Sequence, residues 1–114
     1  MSDQYFLDKM DLLEKARIAL SSSVDSLETE GVKYAVAKRE YLGEFAVIQA
    51  RLSQDNSAAK AEPMAKAQLK DKLNEYEYSK TMFECMKAVV SARSSECNVL
   101  QSQIKALQQE WNQS

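Results

Sequence analysis

Hydrophobic residues along this chain return at alternating steps of four and three. In the first half the series runs Phe6, Met10, Leu13, Arg17, Leu20, Val24, Leu27, Gly31, Tyr34, Lys38, Tyr41, Phe45, Ile48 and Leu52, with 11 of 14 positions apolar. The second half repeats it as Ala65, Leu69, Lys72, Tyr76, Ser79, Phe83, Met86, Val90, Arg93, Cys97, Leu100, Ile104, Leu107 and Trp111, again with 11 apolar members of 14. A spacing that averages 3.5 residues is the signature of a coiled-coil seam. The two series are mirror images about the middle of the chain, so they predict an all-α fold, a long antiparallel two-helix coiled-coil hairpin. Residues 1–114 are read as one hairpin domain, with a helix over about 4–54, a tip over about 55–62 and a helix over about 63–112.

The mirror sets Phe6 against Trp111, Met10 against Leu107, Leu13 against Ile104, Gly31 against Met86, Tyr34 against Phe83, Tyr41 against Tyr76 and Ile48 against Leu69. It also places four long cations in or opposite the seam, Arg17, Lys38, Lys72 and Arg93, whose stems would run outward along it. Ser2 or Asp3 is positioned to cap the first helix. Ser21–Ser23 and Gly31 are weak helix formers, but the phase passes through them unbroken, which predicts one helix with a soft middle. Pro63 reads as a first-turn proline of the second helix, with Ser57 able to cap an extra helical turn inside the tip.

Two helices alone bury little, and the sequence carries apolar residues beyond the seam. Tyr78, Met82, Cys85 and Val89 form a second stripe on the second helix, continued by Ala92 and Val99. Val32, Ala35, Leu42 and Ala46 give a shorter patch on the first. Such flanks predict helix packing between copies, most simply a dimer forming a four-helix bundle, or a groove for another protein's helix. The interface residues implied are Tyr78, Met82, Cys85, Val89, Val32, Ala35 and Leu42.

Composition narrows the chemistry. The chain has 114 residues, two Gly, one Pro and no His. Without histidine there is no imidazole base and no His-based triad, and no glycine-rich phosphate loop occurs, so a non-enzymatic role without cofactor or resident metal is expected. Glu40 with Glu44, and Asp71 with Glu75, share helix faces four residues apart and read as solvated acids. Cys85 and Cys97, twelve residues apart on one helix, lie about 18 Å from each other and are predicted to be free thiols.

Net charge is −2, and residues 1–30 hold seven acids against three bases, a poor surface for phosphate. The tip is mildly basic, with Lys60 and Lys66 as its candidate contacts. Nucleic-acid or nucleotide binding is therefore a secondary expectation behind a protein partner, and a spacer or assembly chaperone is a third. No run reaches the roughly 20 apolar residues of a membrane span, and Met1–Met10 lack the basic and apolar regions of a secretion signal, which points to the cytoplasm.

Three segments, YAVAKREYLGEFAVIQARL from Tyr34 to Leu52, LNEYEY from Leu73 to Tyr78 and LQSQIKALQQEW from Leu100 to Trp111, resemble small helical-hairpin proteins encoded by temperate bacteriophages. The resemblance implies a phage accessory protein, an adaptor or an inhibitor of a host factor, from a gene near replication and recombination functions. It carries over no functional residues. The Pro63 tip and the Ser21–Ser23 run depart from that pattern.

Overall fold

In the computed structural model, which describes residues 3–113, the chain forms α1 (Asp3–Leu52), α2 (Ala58–Gln68) and α3 (Lys70–Gln113), with no strand among the described residues. The fold is all-α, as the periodicity predicts. Asp3 lies in the first turn of α1, where its carboxylate complements the positive end of the helix; Ser2, the other expected cap, lies outside the described residues. α1 runs uninterrupted through both of its weak stretches. Ser23 donates its hydroxyl back to the Ala19 carbonyl at 2.8 Å, a bond that keeps a serine's polar group occupied within the helix.

The tip is shorter than the expected 55–62. α1 stops at Leu52, whose carbonyl accepts bonds from the backbone N–H of Asp55 and Asn56 and from the Asn56 side-chain amide. No residue there adopts a left-handed backbone, so the reversal needs no glycine. Helix resumes at Ala58, and Pro63 sits inside α2 rather than in the first turn of the returning helix. Ser57 is the N-cap, its carbonyl accepting from Lys60 and Ala61, but its hydroxyl makes no capping bond. α2 and α3 are separated only by Leu69, whose N–H is shared between the Ala65 and Lys66 carbonyls at 3.1 and 3.2 Å. Three-centred bonds of this kind are common where a helix ends.

The chain divides into two compact units, one of residues 1–27 with 85–114, the other of residues 28–84. In the first, Leu13, Ala16, Cys97, Leu100 and Ile104 form a buried cluster, with Phe6 and Leu20 packed against it. Phe6 and Trp111 meet with ring centroids 4.9 Å apart, and Lys9 donates to the Gln103 side-chain carbonyl at 3.1 Å. The mirror pairing predicted for Phe6 with Trp111 and for Leu13 with Ile104 is found.

In the second unit, α1 and α3 are joined by an aromatic ladder. Tyr34 packs on Phe83 at 5.5 Å and on Tyr76 at 5.9 Å, while Tyr41 packs on Tyr76 at 5.6 Å and on Phe45 at 5.8 Å. Tyr34–Phe83 and Tyr41–Tyr76 are again the predicted pairs. Gly31 lies against Phe83: a Cβ built there would stand 3.1 Å from the Phe83 ring, so the aromatic fills the space the glycine leaves. Ala37, Tyr41, Ala61, Ala65 and Leu69 are buried in this unit.

The seam differs from its expected composition at alternate positions. Arg17, Lys38 and Arg93 are exposed, while Ala16 and Ala37 are buried and Ser94 is half-buried. Likewise Lys9 and Ser23 turn further inward than Met10 and Val24. The seven-residue series Phe6, Leu13, Leu20, Leu27, Tyr34, Tyr41 and Ile48 stays inside, and its interleaved members shift one residue toward the N-terminus. The physical reason is burial cost: a charged head between two helices is expensive, whereas alanine lets the backbones close together. The shift ends at Ala37, Tyr41 and Phe45, two consecutive four-residue steps that restore the expected phase, a local stutter in the repeat. Lys72 keeps its half-buried seam position by reaching out to Glu44 at 3.5 Å and Glu40 at 4.0 Å.

A candidate docking face on the second unit

Because each unit is built from paired helices, one side of every helix stays in contact with water. In the second unit part of that side is apolar and forms a groove. Val32 and Val36, one turn apart on α1, and Tyr78 on α3 are 59%, 38% and 67% exposed. Together with Ala37 and Ser79 they line a groove of about 460 Å³, edged by Lys33 and Glu75. Lys33 also bridges Glu30 at 3.6 Å. The walls are apolar and the rims carry one charge of each sign. Pockets for small molecules bury most of their ligand, but residues this exposed cannot enclose one; the shape fits a long, partly apolar object such as a helix.

A second depression, of about 570 Å³, lies further along α1 around Gly43. The four-residue row Arg39, Gly43, Val47 and Arg51 forms one wall, and the row Glu40, Glu44 and Ile48 forms the other. Val47 is 60% exposed, and apart from its sequence neighbours and the local helix backbone nothing lies within 4 Å of where a Gly43 Cβ would be.

Of the residues singled out from the sequence, Val32 and Tyr78 come together in the groove. Met82 is half-buried on α3. Ala35 and Leu42 are exposed on α1 outside the groove; Leu42 lies about 120° around the helix from Val36. Cys85 and Val89 are exposed but belong to the first unit, so the α3 stripe is divided between the two units. The expected tip contacts lie in α2, where Lys60 is exposed and Lys66 bridges Glu62 at 3.3 Å. Val36 and Val47 were missed because neither falls on the heptad or its 4-3 flank. The signal was a row of four-residue steps, Val32–Val36 and Gly43–Val47.

Glu40 and Glu44, one of the two acid pairs spaced four residues apart, have the Lys72 ammonium beside them. Among the described residues no group of three or more Cys, Asp or Glu is gathered as a metal site. No helix among them is long and apolar enough to cross a membrane. No family model matches the chain, and neither a curated protein nor a solved structure does.

Proposed function

We propose that this chain is a non-enzymatic protein-interaction module that works as a homo-oligomer, the dimer favoured, and captures another protein through its helix faces. The observation that carries this reading is the groove of Val32, Val36 and Tyr78, an apolar strip left open on a unit too thin to cover it. Its occupant is an amphipathic helix: apolar side chains one turn apart seat against the two valines and the tyrosine ring, with charges on either edge meeting Lys33 and Glu75. In keeping with the sequence resemblance, the role is that of a phage-encoded adaptor or inhibitor acting on a host factor in the cytoplasm.

Val36→Glu combined with Tyr78→Glu tests it, since both side chains are exposed and charge there leaves the helices intact. The immobilised wild-type chain should retain a defined host protein that the double variant loses, with equal helicity by circular dichroism. Retention of the same proteins by both forms, or of none by the wild type, rejects the reading.

A further inference from the structure

We propose that two copies of this chain associate through α1 of the second unit, antiparallel about a two-fold axis passing between Gly43 and Ile48. The inference rests on the oligomeric reading above and supplies the surface it lacks, distinct from the groove of Val32, Val36 and Tyr78.

Gly43 is the first ground. Glycine is among the poorest helix formers, and nothing within the chain requires one here: its φ is not positive and a Cβ would touch nothing beyond its sequence neighbours and the local helix backbone. Gly31 differs, because Phe83 occupies the space beside it. What an exposed helical glycine provides is close approach to another backbone.

The second ground is that the depression around Gly43 is complementary to itself. With the axis as stated, Glu40 of one copy meets Arg51 of the second copy, Gly43 receives Ile48 beside Val47, and Val47 covers Glu44; each contact occurs twice. An isologous interface requires this self-matching. The two Glu44 carboxylates come near each other across the axis, but each already has its own chain's Lys72 at 3.5 Å to offset it.

Sedimentation velocity over a concentration series reads the outcome. The wild type should be a dimer, and Gly43→Gln should raise the dissociation constant tenfold or more while helicity is kept or increased, because the added Cβ has open space beside it and glutamine is the better helix former. Glu40→Arg alone should weaken the dimer, and Glu40→Arg with Arg51→Glu should restore it. A wild type that stays monomeric at high concentration overturns the inference. So does a dimer indifferent to Gly43→Gln, which would leave oligomerisation standing through another face. A monomeric wild type would also remove the homo-oligomeric part of the proposed function, whereas a dimer indifferent to Gly43→Gln removes only the α1 interface; the capture reading is tested separately through Val36 and Tyr78.

Discussion

Cys85 and Cys97 share one helix but differ in the access they offer. Cys97 is packed among Leu13, Ala16, Leu100 and Ile104, whereas Cys85 faces water. A buried cysteine behaves as a small hydrophobe, and reagents reach it only when the packing opens. Under native conditions a thiol reagent such as dithiobis-nitrobenzoate should therefore modify one thiol per chain quickly and the second at the far lower rate of opening. Cys85→Ser should abolish the fast phase alone. Two thiols reacting at comparable rates would mean that the cluster around Cys97 is not closed. Gly31 and Gly43 show the same dependence on surroundings: one is explained by the ring of Phe83, the other by nothing in its own chain.

At the level of elements, helix type, the direction of the pairing and its aromatic contacts were legible because they follow from one period repeated over many turns. The identity of alternate seam residues was not. Hydrophobicity ranks Met10 and Val24 above Lys9 and Ser23, but with only two helices to form the seam, keeping Arg17 and Lys38 in solvent and Ala16 and Ala37 between the backbones decides the rotation of α1. The groove was half legible for the same reason: Tyr78 and Val32 flank the heptad, while Val36 comes into view only once α1 is turned. Pro63 was misplaced because an N-terminal proline is the commoner arrangement. In α2 it is the sixth residue, so it lacks the N–H that would bond to Ala59 and crowds that carbonyl. Interior proline is about 3 kcal/mol worse than alanine in a helix, offset by up to about 1 kcal/mol through its restriction of the unfolded chain. Pro63→Ala should stabilise the protein by about 2 kcal/mol, seen as a raised urea midpoint with an unchanged slope. An unchanged or lowered midpoint would show that the proline is not inside a helix in solution.

For the whole molecule the two units differ most in how far apart along the chain their partners lie. Tyr41 and Tyr76, which meet in the second unit, are 35 residues apart, while Phe6 and Trp111 in the first are 105 apart. Loop-closure entropy grows as the logarithm of length, so the threefold longer closure costs about 1 kcal/mol more if it is made first. Once the contacts nearest the tip exist, the continuous helices α1 and α3 carry the remaining pairs toward each other and most of that extra cost disappears. Folding should therefore start in the second unit and propagate to the first. Leu69 and Leu107 are a matched pair for testing this, the same residue type at 7% and 8% exposure in different units. Truncating either to alanine should cost at least about 2 kcal/mol, enough for a dependable ratio of kinetic to equilibrium effect. In stopped-flow refolding of dilute protein, Leu69→Ala should mainly slow folding, with a φ-value above about 0.5, and Leu107→Ala should mainly speed unfolding, with a φ-value below about 0.3. The reverse order would place the nucleus at the end where Phe6 and Trp111 meet, where closure entropy is least favourable, and would require residual structure already linking the two chain ends in the denatured state.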